Sequence, residues 1–244
     1  MDLGLSGRRA LVAGASRGLG YATAKRLTQE GARVAICSSS NSIHEAAEKI
    51  GNGIVGFVVD VADSAAAMNF VAQAADALGG IDILVTNAGG PPSGSATGTE
   101  ISAYLKGFEL NCLSAIAMCD AAVPMMKDAG WGRVVAITSI AARQPAADLA
   151  ASSVARAGLT AYLKLLARDM APHGITVNSI QPGYHATARL KALGREGLES
   201  HIPMRRLGDP SDFGAIVTML CAEQAGYLTG AAIPVDGGAY PGLI

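Results

Sequence analysis

Aromatic residues and unbalanced charge are both scarce in this 244-residue sequence, and each shortage argues against a class of protein. Phe, Tyr and Trp make up only 5% of the chain while glycine numbers 30, which disfavours a β-sandwich with an aromatic core. The 19 basic residues nearly balance the 20 acidic ones, so the net charge is −1. Binding to a nucleic-acid backbone requires a basic surface, and we therefore expect no nucleic-acid partner.

The sequence also lacks the patterns of a metal centre, a redox dithiol and a membrane segment. Its four cysteines, Cys37, Cys112, Cys119 and Cys221, form no C-x-x-C pair and have no histidine at zinc-site spacing, so we expect buried free thiols and no metal. No uninterrupted apolar run reaches the ~18 residues that span a bilayer, and no apolar signal region follows the first residues. These shortages predict a cytoplasmic protein with no membrane partner.

Small and apolar residues are abundant, and they follow two alternating periods. Hydrophobic residues make up 50% of the chain, enough for a sizeable core in one domain. Short apolar runs typical of buried strands alternate with helical patterns, which indicates repeated βαβ units. The sequence therefore predicts a single α/β domain over residues 1–244, a Rossmann-type, doubly wound parallel sheet with helices on both faces. The predicted strands are 9–13, 33–37, 54–59, 81–86, 132–138, 176–180 and 232–235.

Helical patterns rich in Ala and Leu fill the intervals between these strands. The predicted helices are 19–30, 43–50, 64–78, 101–129, 149–170 and 210–220. Two segments rich in Gly, Pro and Ser, 89–98 and 182–197, each follow a strand. We expect both segments to be long loops at the active face of the sheet.

The first predicted strand runs directly into a glycine-rich turn, AGASRGLG at 13–20, and then into the first helix. Glycines permit a tight turn and a close approach of a diphosphate to the backbone, and the helix start offers free N–H groups. The spacing is G-x3-G-x-G rather than G-x-G-x-x-G, but the strand–turn–helix context is the one that nucleotide binding requires. The alternative is a merely structural turn. The residues expected to contact the nucleotide are Gly14, Ser16, Arg17, Gly18, Leu19 and Gly20.

The residues after the second strand bear on the choice between NAD(H) and NADP(H). A carboxylate about 20 residues after the turn would bind the ribose 2′-hydroxyl of NAD(H), but this chain has Cys37 followed by Ser38, Ser39 and Ser40. Arg17 could pair with a 2′-phosphate, and the serines could donate hydrogen bonds to it. The sequence therefore favours NADP(H), against the alternative that Arg17 is a solvated charge and the serines are a connector.

Further motifs follow in order along the chain, and together with the glycine turn they carry a resemblance. They are Asp60-Val61, Asn87-Ala88-Gly89, Asn111, Ser139, Pro182-Gly183 with Thr187, and PVDGG at 234–238. Over essentially its whole length the chain resembles the short-chain dehydrogenases/reductases, and the 3-oxoacyl-acyl-carrier-protein reductases in particular. The resemblance implies an oxidoreductase that transfers hydride between a nicotinamide cofactor and a carbonyl or alcohol.

By this resemblance, three sets of residues line the cofactor cleft, and Asn111 and Ser139 belong to the catalytic centre. The cofactor sets are Asp60 and Val61 at the adenine, Asn87, Ala88 and Gly89 at the adenosine ribose, and Pro182, Gly183 and Thr187 at the nicotinamide. Taken singly, Asp60 could instead cap the following helix, and Asn87 could satisfy backbone groups at the strand end.

The family's proton-transfer pair is missing from this chain. The resemblance places a Tyr-x3-Lys pair on a helix, with the tyrosine 13 residues after Ser139, but the two positions hold Ser152 and Arg156. In the family the tyrosine exchanges a proton with the carbonyl, and the lysine lowers the tyrosine's pKa and holds the ribose. The nearest tyrosine on this helix, Tyr162, follows Ser152 by about 1000° of helical rotation and faces elsewhere. Arg156 can keep the positive charge and bind the ribose, but an arginine stays protonated and cannot shuttle a proton.

The proton in such a centre needs another route, because a serine hydroxyl is far less acidic than a phenol with a pKa of about 10. Water held between Ser139, Ser152 and Asn111 could move the proton. Alternatively, the loop residues Tyr184 and His185 could contact the substrate and supply an acid from the opposite side. The structural alternatives are a solvated histidine and a tyrosine that packs within its loop.

Three functions fit these observations. The first is a divergent NADP(H)-dependent oxidoreductase that acts on a small-molecule carbonyl or acyl thioester, with Asn111, Ser139, Ser152 and Arg156 at its centre. The second is a catalytically inactive NADP(H)-binding sensor or scaffold, suggested by the loss of the pair. The third is cofactor-free chemistry in the same pocket, as in the halohydrin dehalogenases. Those enzymes are similar to this family and carry arginine at the lysine position, but they keep the tyrosine and remodel the nucleotide loop into a halide pocket. Relatives associate through the helices predicted at 101–129 and 149–170, so we expect a homo-oligomer, either a tetramer or a dimer.

Overall fold

The computed structural model describes residues 2–192 and 197–243, which build one seven-stranded parallel sheet. The sheet has the order β3-β2-β1-β4-β5-β6-β7. The strand order reverses between β1 and β4, and in doubly wound sheets ligands bind at the carboxyl ends of the strands at such a point. The strands are β1 (Arg9–Val12), β2 (Arg33–Ser38), β3 (Val55–Val58), β4 (Ile83–Thr86), β5 (Gly132–Ile137), β6 (Ile175–Pro182) and β7 (Ala232–Val235).

Helices cover both faces of this sheet, which confirms the predicted doubly wound α/β class. On one face α3, α5 and α6 build a core with the strands, and on the other face α1, α2 and α8 build a second core. The helices are α1 (Gly18–Gln29), α2 (Ser42–Ile50), α3 (Ser64–Leu78), α4 (Ile101–Phe108), α5 (Ser114–Ala129), α6 (Ala150–Met170), α7 (Ala188–Ala192) and α8 (Pro210–Leu220).

The apolar composition of the central strands explains their position. Every residue of β4 and β5 is buried, as strands covered by helices on both sides must be. All four cysteines are buried free thiols, in agreement with the sequence prediction. Local capping fixes the helix starts: the Asp63 carboxylate accepts hydrogen bonds from the backbone N–H groups of Ala65 and Ala66, and Asp209 caps α8 in front of Pro210.

The long predicted helix 101–129 is wrong as a continuous α-helix. A π-helical turn, Glu109–Leu113, separates α4 from α5. Such a turn accommodates one extra residue and commonly occurs at functional sites. Here it contains the buried Asn111, whose Nδ2 donates a 2.6 Å hydrogen bond to the carbonyl oxygen of Gly89 after β4. The hydrophobic pattern continues through the turn, so periodicity alone does not reveal it.

The predicted loop 182–197 is also more structured than expected. Strand β6 extends to Pro182, and α7 occupies Ala188–Ala192. The remainder of that predicted loop, 193–196, lies outside the described residues. The other predicted elements agree with the structure to within two residues at each end.

Length and hydropathy alone would allow the segment Ile101–Ala129 to cross a membrane, since its apolar window has a mean hydropathy of 1.2. Half of that window is buried inside the structure. The segment packs on α3 and α6 as a core helix does.

Candidate active site

The glycine turn between β1 and α1 has the backbone shape that only glycine adopts without strain. Gly14 and Gly18 have φ angles of 59° and 64°, in the left-handed region. Gly20 has no such φ, but a Cβ there would collide with the carbonyl oxygen of Gly14 and lie 3.0 Å from its carbonyl carbon. These three glycines therefore keep the turn tight and its backbone open to a ligand.

The first turn of α1 presents backbone N–H groups without a side-chain partner. Arg17 occupies the N-cap position, and its side chain makes no capping hydrogen bond and lies exposed to solvent. The four N–H groups of a helix start and its positive dipole end favour a bound anion such as a diphosphate. Ser16 and Leu19 lie half-buried beside this turn. The residues present thus fit a dinucleotide.

Asn87 connects the end of β4 to the glycine turn. Its Nδ2 donates to the carbonyl oxygens of Gly14 and Ala13, at 3.0 and 3.3 Å. This is the structural role weighed for Asn87 in the sequence, and it also brings Ala88 and Gly89 beside the turn. A Cβ on Gly89 would meet no atom within 4 Å, so the space over this residue is open.

The residues expected at the adenosine end also lie at the carboxyl ends of their strands. Ser38 ends β2, and its Oγ donates to the carbonyl oxygen of Ser40 at 3.1 Å, while Ser39 is exposed. The Asp60 carboxylate follows β3 and accepts a 3.1 Å hydrogen bond from the N–H of Ala62, beside the buried Val61. The helix cap of α3 is Asp63, so the capping alternative for Asp60 is wrong.

Ser139, Ser152 and Arg156 meet where β5 ends and α6 begins. The Oγ of Ser139 accepts a 3.0 Å hydrogen bond from the N–H of Ala141. The buried Ser152 accepts a 3.2 Å hydrogen bond at its Oγ from Nε of Arg156, one helical turn on. The Ser152 oxygen is thereby an acceptor to the guanidinium, and its own proton is directed elsewhere.

Arg156 is buried and binds the ends of two strands. Its Nη1 donates to the carbonyl oxygens of Thr138 and Ile137, at 2.7 and 3.2 Å, and its Nη2 donates to that of Ala88 at 3.4 Å. Burial, together with the positive charge of Arg189, lowers the pKa of Arg156 to about 10. The guanidinium nevertheless remains charged at neutral pH, as a fixed cation under the cleft.

A small cavity adjoins Arg156 and Asn111. It has a volume of about 10 Å³ and is lined by Thr86, Asn87, Ala88, Leu110, Asn111, Ser114, Ala115, Ile137, Arg156 and Leu159. The Oδ1 of Asn111 is buried and has no hydrogen-bond partner among the described protein atoms. A polar cavity of that size holds about one water molecule. The cavity therefore has room for a water molecule beside Asn111 and Arg156, but its lining does not include Ser139 or Ser152, between which the sequence analysis placed the water.

The two loop residues predicted to contact substrate have different surroundings. His185 is buried, and its ring meets that of Phe213 edge-on with 5.0 Å between centroids. A Cβ on Gly208 would lie 2.5 Å from the His185 ring. Burial lowers the pKa of His185, and this effect outweighs the hydrogen bond to the carbonyl oxygen of Gly183 and the charge of Asp209, which both act to raise it. His185 therefore packs in the core rather than lying solvated in its loop, and this placement disfavours it as the proton donor.

Tyr184 is half-buried, and its carbonyl oxygen accepts a 3.0 Å hydrogen bond from the N–H of Gly208. Gly183 lies against Asp236, since a Cβ there would be 2.6 Å from that of Asp236. Thr187 reaches back to the glycine turn: its Cγ2 would be 3.7 Å from a Cβ on Gly18. The loop after Pro182 thus lies beside the start of α1.

Sequence reasoning missed Arg189, two residues after Thr187 on α7. Its Nη2 donates to the carbonyl oxygen of Pro91 at 3.5 Å, so it crosses the cleft to the loop after β4. The only sequence signal was a basic residue in a loop expected at the active face. Tyr162 is confirmed to face elsewhere, because it packs against the core that contains Cys119 of α5.

Known proteins are similar to this chain over nearly its whole length. The family described as "Enoyl-(Acyl carrier protein) reductase" matches residues 14–240. The chain is 34% identical over 244 residues to Dehydrogenase/reductase SDR family member 4 from Homo sapiens, covering 96% of this chain and 88% of that protein. It is 32% identical over 242 residues to the 3-oxoacyl-(acyl-carrier-protein) reductase FabG from Vibrio cholerae, covering 98% and 99%.

A solved structure extends the similarity to three dimensions. The L-sorbose reductase from Gluconobacter frateurii, complexed with NADPH and L-sorbose, superposes with a TM-score of 0.93 and 31% identity over 100% of both chains. A family match of this extent, relatives above 30% identity and a shared fold agree with one another. The chain therefore belongs to the short-chain dehydrogenase/reductase family of oxidoreductases, which act on alcohols and carbonyls.

Proposed function

We propose that the protein is an NADP(H)-dependent reductase or dehydrogenase that interconverts a carbonyl and an alcohol at an atypical catalytic centre. One observation carries this proposal: an intact glycine cradle at the open start of α1 lies in the same cleft as Ser139 and the Ser152–Arg156 pair. When bound there, a nicotinamide cofactor supplies or accepts the hydride.

Residues of this chain would hold the cofactor along the carboxyl edge of the sheet. The N–H groups at the start of α1 suit the diphosphate, and the open space over Gly89 suits a ribose. Exposed Arg17 and Ser39 suit a 2′-phosphate, since neither carries the negative charge that would repel it. Thr187, beside Gly18, suits the nicotinamide end.

Ser139 and Ser152 would orient the reacting oxygen of the substrate. Because Ser152 already accepts a hydrogen bond from Arg156, its hydroxyl proton is available to donate, and the cationic partner makes it a better donor. The fixed charge of Arg156 stabilises negative charge that develops on the substrate oxygen. The small cavity beside Asn111 gives a water molecule a place from which to return the proton.

The role of Ser139 is tested by Ser139→Ala. We expect kcat/KM for NADPH-dependent reduction of a 3-oxoacyl thioester, quinone or aldehyde to fall by about 10²-fold, because an oriented donor to the oxyanion is lost. Ser153→Ala is the matched control, since the buried Ser153 hydroxyl has no hydrogen-bond partner among the described protein atoms. Turnover that survives Ser139→Ala unchanged would remove Ser139 from the centre.

The preference for NADP(H) is tested by calorimetric titration with NADPH and NADH. In Arg17→Ala the Kd for NADPH should rise by about 10-fold or more, because a charge-assisted hydrogen bond to phosphate is lost, while the Kd for NADH changes little. Arg33→Ala, at the amino end of β2, is the control with the same charge change at the opposite edge of the sheet. Equal effects on both nucleotides would assign Arg17 to the diphosphate instead.

A catalytically inactive nucleotide sensor is the second candidate, favoured by one observation. The described hydrogen bonds of Arg156 all go to Ser152 and to carbonyl oxygens at strand ends, so the arginine has a structural role at this position. Tight NADPH binding without any hydride exchange across the substrate panel would support the sensor. Turnover that depends on Ser139 would exclude it.

The exposed apolar surface and the buried thiols bear on the oligomeric state and the cellular compartment of the protein. Exposed apolar side chains on and between α4, α5 and α6, including Leu105, Leu113, Val154 and Leu165, suit association of copies into a dimer or tetramer. Four buried free thiols suit a reducing compartment such as the cytoplasm. The substrate would be a small-molecule carbonyl compound or an acyl thioester.

A further inference from the structure

Two guanidinium groups flank the short loop that follows β4. Nη2 of Arg156, on α6, donates to the carbonyl oxygen of Ala88. Nη2 of Arg189, on α7, donates to the carbonyl oxygen of Pro91. Between these contacts lies Gly90, where any Cβ would collide with the Arg189 guanidinium. The Arg189 side chain therefore lies over Gly90. The carbonyl oxygen that it binds is three residues along the chain from the one that Arg156 binds.

Neither cation has an acidic partner among residues 2–192 and 197–243. The ion pairs in that part of the chain involve other residues: Arg8 with Glu223, Arg9 with Asp82, Arg26 with Glu30, and Lys49 with Glu45. Apart from Ser152, the hydrogen-bond partners of the Arg156 guanidinium in that part of the chain are all carbonyl oxygens. A buried or partly buried cation without a counter-ion is unfavourable, and proteins usually pair it or place it where a ligand neutralises it.

The two arginines also affect each other. Partial burial lowers the pKa of Arg189, and for Arg156 the charge of Arg189 adds to the effect of burial. Among residues 2–192 and 197–243, no carboxylate contributes to either shift. A negative charge placed beside Gly90 would offset the desolvation cost of the two cations and reduce their mutual repulsion.

The position of Arg189 points to the substrate rather than to the cofactor diphosphate. The diphosphate belongs at the glycine turn, which contacts the β4 loop through Asn87. Gly90 and Pro91 lie three and four residues farther along that loop. Arg189 remains accessible to solvent, and its planar fork matches a carboxylate in two parallel hydrogen bonds.

We propose that the substrate carries a carboxylate, which Arg189 binds at Gly90 in the field of the fixed Arg156 charge. The substrate class is then an oxo acid or the corresponding hydroxy acid. This inference rests on the proposed oxidoreductase function for the reaction, but the binding preference itself does not require turnover.

The first test compares two isosteric probes, hexanoate and hexanamide, that differ in charge and cannot be reduced as ketones. Both are titrated by calorimetry into the full chain saturated with NADPH. We expect hexanoate to bind at least about tenfold more tightly than hexanamide, the value of one charge-assisted hydrogen bond. In Arg189→Gln that ratio should fall below about threefold, and Arg189→Lys should retain part of it.

Arg168→Gln is the matched control, because Arg168 is an exposed arginine in the last turn of α6. It should leave the hexanoate preference intact. A ratio near one in the parent protein, or an unchanged ratio in Arg189→Gln, would overturn the proposal. A large loss of NADPH affinity in Arg189→Gln with the hexanoate ratio preserved would also overturn it, by assigning Arg189 to the cofactor diphosphate.

A second measurement separates this inference from the proposed function. Reduction of 3-oxohexanoate and of its methyl ester is followed through NADPH oxidation. A hexanoate preference without any turnover would support the carboxylate-binding site at Arg189 and exclude the proposed reductase function. Turnover of the ester as fast as the acid, at equal KM, would support the reductase and overturn the anionic substrate. If the protein binds no nucleotide, the proposed function fails, and the hexanoate ratio is measured on the protein alone.

Discussion

Restoring the family's proton-transfer pair, as Ser152→Tyr with Arg156→Lys, is expected to raise kcat for NADPH-dependent ketone reduction by about 10²-fold. Positioned general acids contribute about 10²–10⁴-fold, and a phenol next to an ammonium group gives up its proton far more readily than a serine hydroxyl. Positions 152 and 156 are one turn apart on α6 and already exchange a 3.2 Å hydrogen bond, so the new pair would be held by the same geometry. The measurement is steady-state NADPH oxidation with one ketone for all variants.

The single variants are the controls for this gain. Arg156→Lys alone should reduce stability, because lysine cannot reach the carbonyl oxygens of Ile137, Thr138 and Ala88 together. Ser152→Tyr alone should gain less than the double variant, since the arginine that remains at position 156 stays protonated and cannot shuttle a proton. Adding Ser139→Ala to the double variant should cancel the gain. A double variant no faster than the parent would show that this centre takes its proton from a group other than residue 152.

The strands and the glycine turn were predictable because they depend on local pattern. Buried parallel strands appear as short apolar runs, and a glycine turn between a strand and a helix has few uses. The (i, i+4) spacing of Ser152 and Arg156 already implied that they adjoin on α6, and their hydrogen bond confirms it.

The parts that sequence reasoning missed depend on contacts between distant segments. The π-helical turn at Asn111 leaves the hydrophobic period intact and is fixed by a hydrogen bond to Gly89 after β4. The burial of His185 is set by Phe213 on α8, and the direction of Arg189 by the approach of Gly90. A single sequence gives the types of these residues but not the partner segments that orient them.

Gly20→Ala is expected to abolish nucleotide binding, with an increase of at least about 100-fold in the Kd for NADPH. The added methyl group would collide with the carbonyl oxygen of Gly14 and lie 2.9 Å from Nδ2 of Asn87, and these neighbours fix the turn and its link to β4. Backbone atoms cannot move aside as a flexible side chain does, so the turn must open. Overpacking of this kind costs about 1–3 kcal/mol of unfolding free energy, which in a chain of this size lowers Tm by several degrees.

Gly89→Ala is the matched control for that stability effect, because a Cβ at Gly89 meets no atom within 4 Å. It should leave Tm near the parent value, whereas Gly20→Ala lowers both Tm and NADPH affinity. Calorimetric titration and thermal unfolding of the two variants separate a damaged fold from a damaged cradle. If Gly20→Ala lowers Tm but binds NADPH as the parent does, the turn is a packing device and the nucleotide binds elsewhere. The cofactor site proposed for both the reductase and the sensor would then be wrong.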